Sequence, residues 1–278
     1  MAEGSLETVL RRDRLVVAGA LALLAAFAWG YVLWLAFGME MPAAGGRAMS
    51  TGGMGDMLAP ALKPWGAAEF VFVLTMWAVM MVGMMTPSAA PMILIYARVA
   101  RQAALQGQPF APTGWFAAGY LLCWIGFALV ATGAQWALER AALLAPPITA
   151  HASDALGGLV LLAAGLYQLT PLKNACLAQC QSPLFFIHRH GGFRADAPGS
   201  FRLGLTHGTY CVGCCWALMA LLFVGGVMNV LWILGLTALM LLEKLSPPGR
   251  ILPVVVGCVL SAAGVWLVAT SGLIRSFG

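Results

Sequence analysis

The chain has 278 residues, of which 61% are hydrophobic and only 9% charged, with a mean hydropathy of +0.88. A water-soluble domain carries about 25% charged residues, so fifteen Lys and Arg with ten Asp and Glu cannot cover this surface, and lipid must solvate much of it. The net charge of +5 therefore reports membrane topology; nucleic acid is excluded as a partner, and the lipid bilayer is the expected surrounding.

About 20 apolar residues in a helix cross a bilayer. Runs of roughly that length lie at 15–37, 69–96, 114–138, 154–172, 204–223, 227–243 and 251–273. The expected fold is all-α: a polytopic membrane helical bundle of about seven transmembrane helices. The first run is longer than the apolar part of a signal peptide and has no clear small-residue cleavage site, so it reads as a retained span. After it comes GMEMPAAGGRAMSTGGMGDMLAPALKP, where Met39, Met41, Met49, Met54 and Met57 stand among Gly, Ala and Pro. This composition has no regular period and reads as a loop.

The second run contains MWAVMMVGMMTPSAAPM. Met76, Met80 and Met84 are spaced i, i+4, i+8, and Met81 and Met85 form a parallel row on the same helix. Thioethers suit Cu(I) and hold Zn(II) poorly; methionine also fills gaps in apolar interiors. Pro87 and Pro91 are expected to bend or open this helix below the methionines, freeing backbone carbonyls. Gln135, Glu139 and Arg140 end the third run and read as interfacial anchors. Cys123 reads as a packing residue, as does Cys258 in the last run. His151 carries no expected role.

The longest loop that the charge count below places inside follows the fourth run. It reads KNACLAQCQSPLFFIHRHGGFRADAPGSFRLGLTHG and holds Cys176 and Cys180 at i, i+4. His188 and His190 flank Arg189 and read as solvated or headgroup-facing. The fifth run opens with HGTYCVGCCWALM. His207, Cys211, Cys214 and Cys215 fall at i, i+4, i+7 and i+8, one stripe about 100° wide on a helix. Thiolate and imidazole ligands suit Cu(I), Zn(II) or iron–sulfur clusters. The six candidate metal ligands are therefore His207, Cys211, Cys214, Cys215, Cys176 and Cys180, with Met76, Met80, Met81, Met84 and Met85 as secondary candidates. The sixth run starts after Asn229 and ends in Glu243 and Lys244. Ionisable groups at span ends are mostly explained by snorkelling, but Glu243 lies on the cysteine side and is expected behind the ligands.

Charge sets the orientation. With the N-terminus inside, the inner segments carry Arg11, Arg12, Arg14, Arg98, Arg101, Lys173, Arg189, Arg194, Arg202, Lys244 and Arg250. The outer ones carry Arg47, Lys63, Arg140 and Arg275. This bias predicts an inner N-terminus and an outer C-terminus, with the cysteine cluster at the cytoplasmic mouth of the fifth span. The expected localisation is the bacterial inner (cytoplasmic) membrane.

The segments MWAVMMVGMMTPSAAPMILIYARVAR, PLKNACLAQCQSPL, RLGLTHGTYCVGCCWALMALLFVGGVMNVLWI and LLEKLSPPG resemble a bacterial family of predicted metal-binding integral membrane proteins, classed by a domain of unknown function. The resemblance covers roughly 69–250 and is most specific at the cysteine motif. It implies a multi-span protein with a metal site at Cys176, Cys180, His207, Cys211, Cys214 and Cys215. The chain accordingly divides into 1–68, the first span with its Met-rich outer loop; 69–250, a metal-binding membrane core; and 251–278, the last span.

Three functions follow from these residues. The first is a membrane protein that binds a soft transition metal, copper before zinc, for handling, delivery or transport; a metal chaperone or a metalloenzyme under assembly would be its partner. The second is a thiol–disulfide electron relay through Cys214–Cys215 or Cys176/Cys180, with Cys211-x-x-Cys214 also able to serve because that spacing lowers thiol pKa. The third is an assembly scaffold with a structural zinc site. No phosphate-binding GxxxxGK[ST], no GxSxG and no C-x-x-C-H haem motif occurs, so an enzyme is the less expected reading.

Overall fold

The computed structural model describes residues 16–36, 65–108, 110–141, 154–246, 249 and 251–271. The Met-rich loop, His151, Arg11, Arg12, Arg14, Arg47, Lys63, Arg250 and Arg275 lie outside the described residues. The rest is helical: α1 (Val16–Ala36), α2 (Ala67–Leu105), α3 (Thr113–Arg140), α4 (Asp154–Gln168), α5 (Pro171–Gln181), α6 (Pro183–Arg189), α7 (Ala197–Ala220), α8 (Leu222–Gly225), α9 (Val230–Leu245) and α10 (Ile251–Thr270).

Each break has a local cause. Thr170 starts α5, where its hydroxyl accepts from Lys173 N at 3.3 Å and Pro171 opens the first turn. This start bends the chain by 67° between α4 and α5. Asp196 caps α7 through Gly199 N at 2.7 Å, followed at once by Pro198. Asn229 caps α9 through Trp232 N at 3.2 Å. Gly226 turns the chain between α8 and α9 at φ +91°, a conformation that side chains beyond glycine resist.

All seven apolar runs are helical, but fewer reach spanning length. Five helices are long and apolar enough to cross a membrane, and a sixth counts if the bent α4–α5 pair is one span. The remaining helix, α9, has 16 residues, about 24 Å against the roughly 30 Å of a hydrocarbon core. α2 runs unbroken through Pro87 and Pro91 rather than opening there. Thr86 Oγ1 donates back to Val82 O at 2.6 Å and Ser88 Oγ to Met85 O at 2.9 Å, so hydroxyls serve the carbonyls around the prolines.

α3 packs on α7, α2 on α3, α5 on α7 and α9, and α4 on α10. The α3–α7 approach depends on small residues. A Cβ at Gly204 would overlap the Phe116 carbonyl, and one at Gly208, a turn later, would lie 2.6 Å from Cys123 Cβ. The GxxxG spacing thus lets two backbones touch, as in membrane helix pairs. At the far end of α3, Gln135 and Glu139 tie into α2 and Trp65 just before it. Trp77 Nε1 donates to Gln135 Oε1 at 2.8 Å, Gln135 Nε2 to Glu139 Oε1 at 3.0 Å, and Trp65 Nε1 to Glu139 Oε2 at 2.9 Å. Arg140 lies over the Trp136 ring.

Candidate metal centre

The α7 stripe forms as the spacing predicts, and its four groups turn inward: His207, Cys211, Cys214 and Cys215 are all buried. Because Asp196 and Pro198 start the helix at Ala197, Cys211 lies about 21 Å along it. That is the centre of the candidate span Ala197–Gly225.

Cys211 is the hub. Tyr120 Oη, brought in by the close α3–α7 packing, lies 3.2 Å from Cys211 Sγ and donates to Met85 O at 3.2 Å. Lys244 Nζ donates to Cys211 Sγ at 3.0 Å, to Ser88 Oγ at 2.9 Å and to Met85 Sδ at 3.9 Å. The thiols of Cys214 and Cys215 donate to Cys211 O at 3.1 and 2.9 Å. α5 supplies the other wall, with Cys180 Sγ 3.9 Å from Cys214 Sγ. Cys176 is half-buried and lies against Gly213, where an added Cβ would sit 2.9 Å from its sulfur. The described cysteines are all free thiols.

His207 is 3% exposed and walled by rings: Phe116 at 6.0 Å, Tyr120 at 5.8 Å and Phe186 at 4.9 Å between centroids. Its Nδ1 has no hydrogen-bond partner among the described residues. A buried imidazole nitrogen without a partner costs free energy unless something else engages it. His190 is half-buried and packs on Phe186 with ring centroids 4.4 Å apart. His188 is exposed.

The methionine rows of α2 are buried throughout, Met76, Met80, Met81, Met84 and Met85 alike. Met85 carries the row into the cysteine cluster through its contact with Lys244. One sulfur from α2 and one from α7 therefore contact the same ammonium, and α5 adds Cys180 beside Cys214. This donor set is soft and suits a monovalent copper ion better than a hard cation. The groups interact without being drawn into a closed cage: among the described residues no three Cys, His, Asp or Glu side chains meet at metal-binding spacing.

Glu243 is buried on the cysteine side, but it faces elsewhere. Its Oε2 pairs with Lys173 Nζ at 2.5 Å and its Oε1 accepts from Gln168 Nε2 at 2.7 Å. Gln181 Nε2 donates to the Glu243 carbonyl at 2.7 Å. Neither Lys244 nor Lys173 is a snorkelling or loop charge; both are buried. Sequence reasoning missed Lys244, Ser88 and Tyr120 as neighbours of the thiols. Ser88 sits inside the motif TPSAAP and Lys244 beside Glu243, so both had a sequence signal; Tyr120, in an apolar run, had none.

A family model described as PpoB2, copper chaperone, matches residues 74–267, well over half of the chain. The match takes in the methionine rows, both cysteine segments and Lys244. No curated protein and no solved structure matches the chain.

Proposed function

Because the chain belongs to the PpoB2 copper chaperone family, we propose that it carries Cu(I) on the sulfur cluster around Cys211 and hands it to an acceptor protein. Copper is the cargo here, so the cluster needs ligands that hold and release rather than a closed cage. Thiolates bind Cu(I) strongly and thioethers weakly, a gradient suited to transfer. Met76, Met80 and Met84, with Met81 and Met85 beside them, form the weak-ligand approach. Cys211, Cys214, Cys215, Cys180, Cys176 and His207 form the strong end.

The observation that carries this reading is the convergence of Met85 Sδ and Cys211 Sγ on one buried point, at 3.9 and 3.0 Å from the same Lys244 Nζ. Packing alone does not require a methionine sulfur and a thiol from two helices to share a polar partner in the centre of a bundle. The unpartnered Nδ1 of His207, one turn before Cys211 on the same face of α7, is a further candidate ligand for copper. The lysine and arginine bias supports a cytoplasmic N-terminus and a bacterial inner-membrane location; the outer C-terminus expected from seven spans would hold only if the 16-residue α9 also crossed. The acceptor is a metalloenzyme under assembly or another metal carrier.

The test is metal content. Protein purified in detergent under reducing conditions is loaded with Cu(I), dialysed against a weak chelator and assayed by mass spectrometry. The wild type is expected to retain copper, the Cys211→Ser, Cys214→Ser, Cys215→Ser variant to lose it, and Met85→Leu to load more slowly. Zinc held in place of copper would favour the structural-zinc scaffold. No metal, with Cys180 and Cys214 forming a reducible disulfide, would favour the electron relay; their sulfurs, 3.9 Å apart, are the pair placed for it.

A further inference from the structure

Lys244 is the group that neither the family nor the ligand pattern accounts for. A lysine ammonium has three N–H donors and no acceptor. All three donors find partners: Cys211 Sγ at 3.0 Å, Ser88 Oγ at 2.9 Å and Met85 Sδ at 3.9 Å. The side chain is 7% exposed, and among the described residues no carboxylate lies within ion-pair distance of it; the nearby Glu243 is committed to Lys173. A positive charge is thus fixed against the very sulfurs proposed to receive the metal.

We infer that Lys244 makes the sulfur cluster selective for a monovalent metal, admitting Cu(I) and rejecting Zn(II). This inference rests on the copper reading above. Cysteine clusters bind zinc readily, so thiol chemistry alone does not discriminate. The repulsion between a metal and a fixed ammonium scales with the metal's charge and is twice as large for a divalent ion at the same distance. A buried setting screens that repulsion less than water does. Met85 adds a donor that favours Cu(I) over Zn(II). Charge and softness then act in the same direction from the same point.

The test is a competition. Detergent-purified wild type, Lys244→Gln and Lys244→Arg are equilibrated under reducing conditions with Cu(I) and Zn(II), each buffered at equal free concentration, and both metals are counted by mass spectrometry. Gln keeps polar contacts and removes the charge; Arg keeps the charge. The zinc-to-copper ratio is expected to rise at least about tenfold in Lys244→Gln and to stay near the wild-type value in Lys244→Arg. If Lys244→Gln does not fold, Lys244→Leu takes its place, with tryptophan fluorescence as the check on folding. An unchanged ratio in a folded, copper-loaded charge-removed variant would overturn the inference while leaving the copper site standing. A wild type that binds no copper would overturn both, and a wild type that takes zinc and copper equally would overturn the selectivity alone.

Discussion

Replacing Lys173 by methionine removes a charge from a pair sealed inside the protein. Lys173 is 0% and Glu243 2% exposed, with Nζ and Oε2 2.5 Å apart. At an effective dielectric of about 20, opposite charges at that distance attract by about 7 kcal/mol. Desolvating the two ions costs several kcal/mol each, so the pair as a whole contributes little. Breaking it is different. Without Lys173 the Glu243 carboxylate keeps Gln168 on Oε1 but loses its cation, and an uncompensated buried charge costs about 3–5 kcal/mol. At about 2–4 °C per kcal/mol for a protein of this size, the midpoint of thermal unfolding should fall by about 6–20 °C. The assay is thermal unfolding in detergent, followed by tryptophan fluorescence, for Lys173→Met, Glu243→Leu and the double variant. The double variant should recover to within about 2 kcal/mol of wild type, because two apolar side chains replace a pair of little net value. A double variant as unstable as the sum of the two singles, or a Lys173→Met midpoint within 2 °C of wild type, would refute this account of the pair (thresholds set from the same range, roughly).

Gly204→Ala should destabilise by about 1–3 kcal/mol, because its Cβ overlaps the Phe116 carbonyl at the α3–α7 contact. Gly235→Ala, whose Cβ meets nothing within 4 Å in α9, should be neutral or stabilising by up to about 1 kcal/mol; the same unfolding assay compares the two. Asn229→Ala removes the cap on Trp232 N and should cost about 1 kcal/mol, read as a lower unfolding midpoint and faster amide exchange in the first turn of α9. Tyr96→Phe removes the hydroxyl shared by the Arg194 carbonyl and Ser200, tying α2 to the start of α7, and should cost about 0.5–1.5 kcal/mol in the same assay.

The legible part of this molecule is the part fixed by local pattern. Each apolar run became a helix because length and hydropathy act within one segment, and the i, i+4, i+7, i+8 stripe of His207, Cys211, Cys214 and Cys215 became buried because helix geometry puts those positions on one face. The break inside the fourth run is also local: Thr170 and Pro171 were readable as a cap and a first-turn proline, yet the apolarity of 154–172 concealed them. What sequence could not supply was which faces meet. Tyr120 sits in an apolar run without any polar signal, and the bare backbone of Gly119, Gly204 and Gly208 lets α3 bring its hydroxyl to Cys211. The start of α7 was concealed for a related reason. The polar stretch 197–203 looks like a loop by composition, whereas Asp196 and Pro198 make it the first two turns of α7.

Glu243 and Lys244 show why adjacency in sequence is a poor guide to electrostatics inside a bundle. As neighbours at the end of an apolar run they look like a mutually neutral pair at a membrane surface. Successive helix positions point about 100° apart, so the two side chains, both buried, reach different partners. Glu243 turns toward α4 and α5, where Lys173 and Gln168 satisfy it; Lys244 turns toward α2 and α7, where it meets sulfur and hydroxyl acceptors. Had Glu243 paired with Lys244, the cysteine cluster would be an ordinary patch of small apolar residues beside a closed ion pair. Because Lys173 takes Glu243, a cation is released onto Cys211. The ion pair that looks structural, and the lysine proposed to choose the metal, are then one arrangement: Lys173→Met should free Glu243 to compete for Lys244 and so shift the zinc-to-copper ratio in the same direction as Lys244→Gln, by a smaller factor. An unchanged ratio in a folded Lys173→Met protein would separate the two and leave the ion pair a purely structural tie.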